Sequence, residues 1–148
     1  MTTSEVTQDG VRTGFQIKDI SSGRVGAVAQ AGGPSGPRIG KYTVNQADLD
    51  EIGAKSIEDA KQNADIIVID EVGPMELTSN AFVNAVESAP GSTKPMVLTL
   101  HYRASHPLLE RIRKEVPERL VMVTLENRAT LASEIEGVIL RTIPVRKE

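Results

Sequence analysis

Ile66-Ile67-Val68-Ile69 is a run of four branched apolar side chains closed at once by two acids, Asp70 and Glu71. A run this short, this β-branched and free of polar residues reads as a strand buried on both faces, not as a helix. Met96–Leu100 and Leu120–Val123 repeat the pattern. Helical periodicity fills the intervals. Leu49, Ile52, Ile57 and Ala60 follow a capping Asn45, in a helix predicted to end near Asn63. Ser79 to Ser88 makes a second helix, and Leu108, Leu109 and Ile112 behind Pro107 make a third, to about Glu115. Leu131, Ile135, Val138 and Ile139 mark a last amphipathic helix, with the tail after Pro144 expected to fray. Strands alternating with helices predict right-handed βαβ crossovers. The start of the chain differs: Thr2 to Gly10 is polar, and Ser21-Ser22-Gly23 between Phe15–Lys18 and Val25–Ala29 predicts an antiparallel hairpin. Gly32 to Pro37 reads as an irregular loop. The expected fold is a three-layer α/β domain: a mostly parallel sheet, an N-terminal antiparallel hairpin, and helices on both faces.

Aromatic residues make up 3% of the 148 residues, so the core must be built from Val, Ile, Leu and Ala. The length fits one domain over residues 1–148. Lys and Arg number 17 against 20 Asp and Glu, a formal charge of −3, so no phosphate-neutralising surface is present and nucleic acid is not an expected partner. The absence of cysteine excludes disulfides, thiolate catalysis and Cys-based zinc sites. No apolar run is long enough to span a bilayer and Met1 opens no signal-peptide pattern, which points to a cytoplasmic protein without a membrane partner.

The acid pair carries the chemistry. In open α/β sheets the carboxyl ends of the strands border the ligand crevice. In P-loop NTPases an acid there holds Mg²⁺, directly or through water, and gathers the β- and γ-phosphates around the ion. A second acid next to it can orient, or take a proton from, the water that attacks phosphorus. Asp70 fits the first role and Glu71 the second. A plainer reading stands beside this one, in which both acids end a strand and solvate the turn at Gly73-Pro74.

The flanking residues shift that balance. IIVIDEVGPMEL, Ile66 to Leu77, closely resembles a segment of the THEP-type (cancer-related) nucleoside-triphosphatase family, which has the P-loop NTPase fold. Gly36-Pro37-Arg38-Ile39-Gly40-Lys41-Tyr42 resembles that family's GPRxGKY segment. His101, Arg103, His106 and Pro107 resemble its histidine–arginine segment, and Glu126-Asn127-Arg128 its ENR turn. Ser4-Glu5-Val6 and Gly14-Phe15 are similar to the strand and hairpin that follow the family's nucleotide loop. The likeness runs through nearly the whole chain.

It implies hydrolysis of a nucleoside triphosphate of the ATP or GTP class to diphosphate and phosphate with Mg²⁺, and it makes Asp70-Glu71 a Walker B pair. It also implies that Arg38 and Lys41 are cations facing the phosphates. His101 and Arg103 would form a polar cluster beside the γ-phosphate, with Arg103 stabilising transition-state charge. Asn127 and Arg128 would grip base or ribose. Local readings compete: a solvated loop for Arg38 and Lys41, a helix start for His106, and a helix cap for Glu126 or Asn127. A metal site at the two histidines fits no usual ligand set.

One family element has no counterpart in the 148 residues. A G-x-x-x-x-G-K-[ST] loop should cradle the phosphates on backbone N–H groups. The segment Ser35 to Lys41 fails as a substitute: Ser35 stands at the first glycine position, Tyr42 follows Lys41, and Pro37 removes an N–H. The strand order typical of the class would set the missing first strand between those ending at Leu100 and Thr124. This predicts a truncated domain with an unfilled sheet gap, impaired alone, and open to a protein partner or self-association. The alternative to an enzyme is a split subunit, or a nucleotide-binding regulatory module, completed by a partner chain.

Overall fold

A computed structural model describes residues 1–144, so the predicted fraying beyond Pro144 concerns 145–148, outside the described residues. Seven strands form one sheet: β1 (Thr2–Gln8), β2 (Val11–Lys18), β3 (Val25–Ala31), β4 (Arg38–Ile39), β5 (Tyr42–Val44), β6 (Ile67–Val72) and β7 (Met96–Leu100). Their order is β4-β5-β3-β2-β1-β6-β7. β6 lies parallel to both β1 and β7, while β1, β2, β3, β5 and β4 pair antiparallel in that order. The α/β class is as expected, and the sheet is mixed: its parallel part is confined to the three strands around the acid pair.

The polar opening is a strand, as the likeness of Ser4-Glu5-Val6 to a family strand implied. Thr2, Thr3, Val6 and Thr7 are β-branched and favour extended backbone. Asp9 and Gly10, at φ 52° and 75°, close the two-residue turn into β2. Both residues in the left-handed region define the hairpin turn for which Asp-Gly is a strong signal. β1 pairs with β2 along its whole length and with β6 through Thr2 and Asp70. The Met1 amino group donates to the Val68 carbonyl at 2.7 Å, and Met1 itself is buried.

Asn45 caps a continuous helical stretch as predicted, its Oδ1 accepting from the Asp48 N–H at 3.0 Å. The stretch runs through α1 (Gln46–Asp48), a wider π turn (Leu49–Ala54) and α2 (Lys55–Asn63). Leu49, Ile52 and Ile57 are buried on its inner side. α3 (Asn80–Ser88) starts at Ser79, whose Oγ accepts from the Phe82 N–H. Phe82 is fully buried, and its ring lies against the Leu49–Ala54 turn at Gly53. α4 (Pro107–Glu115) buries Leu108 and Leu109 in the same core.

The third predicted strand, Leu120–Val123, does not form. These four residues are 48–64% exposed and outside the sheet. A strand exists through ladder hydrogen bonds to a neighbour, and no described strand lies beside this segment. β7 is likewise an edge strand, half-buried rather than buried. α5 (Leu131–Thr142) has the predicted amphipathic pattern but buries no residue, so it adds nothing to the core.

Candidate active site at the carboxyl end of β6

β6 reaches the acid pair through a break in its ladder with β7. Ile69 pairs with Leu98 and Val72 with Leu100, so Asp70 and Glu71 together oppose Thr99 alone. Two residues facing one is a β-bulge, a device that re-aims side chains. Along β6, Ile67, Ile69 and Val72 are buried, and both acids are partly exposed. The Asp70–Glu71 peptide is cis. Thr99, the lone hydroxyl in an otherwise apolar run, donates its Oγ1 hydrogen to Asp70 Oδ1 at 2.5 Å.

The chain then turns sharply at Gly73. A Cβ on Gly73 would lie 2.9 Å from Glu71 Oε1 and 3.0 Å from Glu76 Oε2, so a larger residue here would push the two carboxylates from their present positions. Glu76 is 4% exposed and accepts from the Gly73 N–H at 3.1 Å. Burial pushes its carboxyl up to about 7, and the negative charges of Glu71 and Asp70 add to the rise. Sequence reasoning passed over Glu76, because burial of an acid leaves no local pattern.

The raised value has a stability consequence. Glu76 holds its proton more tightly in the folded chain, so its contribution is fully present below the ordinary 4.5 and is lost as pH rises through about 7. At about 1.4 kcal/mol per pH unit, the loss is on the order of 3 kcal/mol. Glu76→Gln should flatten this part of the profile. Urea midpoints measured from pH 4 to 8 should therefore converge at the acid end and separate towards neutrality, with the variant the more stable. Parallel profiles would contradict the assignment.

After β7 the His101 N–H donates to the Val72 carbonyl at 3.0 Å, which ties the next loop to the end of β6. His101 Nδ1 accepts from the N–H groups of Arg103 and Ala104 at 3.3 and 3.1 Å. A ring nitrogen acting as acceptor carries no proton, so the neutral imidazole presents Nε2–H. Arg113, on α4, closes the turn from outside by donating to the carbonyls of His101 and Ala104 at 3.0 and 3.4 Å. His106 caps α4, its Nδ1 accepting from the Leu108 N–H, which is the helix-start reading of that residue. Pro74, Leu77 and Thr78 face Ala104, Ser105 and His106 across an open cleft of about 270 Å³. The loops after β6 and β7 thus border a crevice at the carboxyl ends of the parallel strands.

The remaining sequence candidates lie elsewhere in the fold. Arg38 and Lys41 are exposed at the far end of the sheet, with β3, β2 and β1 between β5 and β6. Lys41 Nζ sits 5.4 Å from the Tyr42 ring centroid, a cation–π contact. Asn127 spends its side chain locally, accepting from the Thr124 N–H and donating to the Met122 carbonyl. Its backbone carbonyl accepts from the N–H groups of Thr130 and Leu131. Arg128 is exposed. These bonds organise the turn before α5, whose N-cap position is Thr130, so neither Glu126 nor Asn127 is the expected side-chain cap.

Among the described residues no group of three or more His, Cys, Asp or Glu is placed to hold a metal ion. The donors at the bulge are hard carboxylate oxygens, one or two within reach of a single ion. That set suits Mg²⁺, which takes few protein ligands and fills the rest with water and phosphate oxygens. Both histidine Nδ1 atoms are already engaged, and softer metals find no thiolate.

A parallel strand core with a crevice at its carboxyl ends defines an α/β domain of the ligand-binding kind. Residues 1–136 match the profile of the NTPase family. The chain is 43% identical over 141 residues to nucleoside-triphosphatase THEP1 of Methanosarcina acetivorans, a match spanning 95% of this chain and 78% of that protein. It is 41% identical over 146 residues to the THEP1 of Thermofilum pendens, covering 95% and 80%. The crystal structure of THEP1 from Aquifex aeolicus superposes with a TM-score of 0.79 at 30% identity, over 93% of this chain and 81% of that one. The chain belongs to the NTPase family of THEP1-type nucleoside-triphosphatases and has its P-loop NTPase fold. No helix of the described residues is long and apolar enough to cross a membrane.

Proposed function

We propose that this chain carries the hydrolytic centre of a nucleoside-triphosphatase that converts a nucleoside triphosphate to diphosphate and phosphate. The bulge that sets Asp70 and Glu71 side by side at the carboxyl end of β6 carries the reading. Asp70 would hold Mg²⁺, oriented by the hydrogen bond from Thr99. When bound, the ion neutralises charge on the β- and γ-phosphates. Glu71 orients the attacking water and takes its proton. Arg103 offsets charge that builds on the phosphoryl oxygens, and His101 offers a fixed Nε2–H donor beside it.

Residues 1–148 contain no G-x-x-x-x-G-K-[ST] segment, so the phosphate cradle must be supplied from outside them, by the same polypeptide or by another. The exposed apolar segment Leu120–Leu125 supports a second element of this reading, a sheet completed by further chain. Arg38, Lys41, Asn127 and Arg128 reach the nucleotide only through such a completed assembly.

The test is phosphate release from Mg-ATP and Mg-GTP by residues 1–148, with and without a strand–loop–helix segment carrying the cradle. Release is expected with the segment and close to background without it. Asp70→Asn should then weaken the dependence on Mg²⁺ and lower turnover by about 100-fold, the scale of losing one preorganised electrostatic group. An Asp70→Asn protein with unchanged Mg²⁺ titration would remove Asp70 from this role.

A further inference from the structure

The turn from His101 to Ala104 is short, with Tyr102 and Arg103 exposed and its two ends half-buried, and it is held from two sides. Inside the turn, the His101 ring accepts two backbone N–H groups. Outside it, the Arg113 guanidinium spans the carbonyls at both ends. Arg113 takes part in none of the ion pairs among the described residues, which join Arg12 to Glu5, Lys61 to Glu58 and Arg111 to Glu87. Arg111, two positions earlier on α4, points its charge to another element through Glu87. Arg113 instead follows buried Leu109 by four positions, on the stripe of α4 that faces the protein. A cation placed there without a carboxylate partner directs both its terminal nitrogens to backbone carbonyls.

We propose that Arg113 is a positioning residue, whose forked guanidinium fixes the 101–104 turn and thereby holds His101 in its Nε2–H tautomer and Arg103 in place. The fork geometry matters: two N–H directions reach two carbonyls at once, which a lysine ammonium on a flexible stem does not reproduce. Were the turn to open, the N–H groups of Arg103 and Ala104 would leave Nδ1. Either ring nitrogen could then carry the proton. The effect on turnover rests on the roles proposed above for Arg103 and His101; the effect on the turn does not.

The experiment uses ¹⁵N-labelled protein, comparing wild type with Arg113→Ala and Arg113→Lys. Long-range ¹H–¹⁵N correlations report which His101 nitrogen is protonated, and amide exchange reports the Arg103 and Ala104 N–H groups. Wild type should show a single Nε2–H tautomer. Arg113→Ala should mix the tautomers and speed exchange of the two amides at least about tenfold, the scale of one lost hydrogen bond. Arg113→Lys should fall between. Unchanged tautomer and exchange in Arg113→Ala would overturn the proposal. Should that variant fail to fold, a wild-type result for Arg113→Lys at both probes overturns it equally. In the cradle-completed protein, a loosened turn with undiminished kcat would leave Arg113 as the clamp and remove Arg103 from its assigned role.

Discussion

Replacing Glu71 by Gln is expected to reduce turnover by about 100- to 10,000-fold in protein supplied with a phosphate cradle, the usual range for loss of a general base. Glutamine keeps the shape and a hydrogen-bonding oxygen but cannot accept a proton from water. Mg-nucleotide binding should survive, because the proposed metal carboxylate is Asp70. A fall in kcat with little change in nucleotide affinity is therefore the signature, read by single-turnover phosphate release beside equilibrium titration. The same substitution removes a charge that helps raise the Glu76 carboxyl, so the pH dependence of stability should also shrink. Wild-type turnover in Glu71→Gln would leave the acid pair with Asp70 alone.

Phe82→Ala is expected to be the most damaging single truncation of the core. Phenylalanine occurs twice in 148 residues, and Phe82 is the one with 0% exposure. Its ring fills the space between α3 and the Leu49–Ala54 turn, where Gly53 brings the backbone close. The loss should be about 3–5 kcal/mol, a large part of the ~5–15 kcal/mol typical of a domain. Urea unfolding should show a lower midpoint with an unchanged slope. A loss below about 1 kcal/mol would mean the site repacks.

How much of this could be read from the residues depends on how local each signal is. Ile66–Ile69 announced β6, and Asn45, Ser79 and Pro107 marked their helix starts, because caps and β-branched runs act over a few neighbours. The Asp9-Gly10 turn is equally local, a two-residue Asp-Gly signal joining β1 to β2. Leu120–Val123 has the composition of a strand but no strand partner among the described residues, a property that no local pattern encodes. At the site, Asp70, Glu71, His101 and Arg103 stood out by motif and order. Thr99, Glu76 and Arg113 did not, because each matters through contacts that only the fold creates: a hydroxyl across the bulge, an acid under Gly73, a guanidinium over the next turn.

The count along β6 has a last implication. Alternation puts Ile67 and Ile69 inward and would next bury position 71; the extra residue postpones the inward step to Val72. A chain one residue shorter between Ile69 and Val72 would restore plain alternation, with the valine still inward, and would leave a single acid opposite Thr99. The surplus residue therefore serves the carboxylates and not the core: the interior would tolerate its loss, and the acid pair would not.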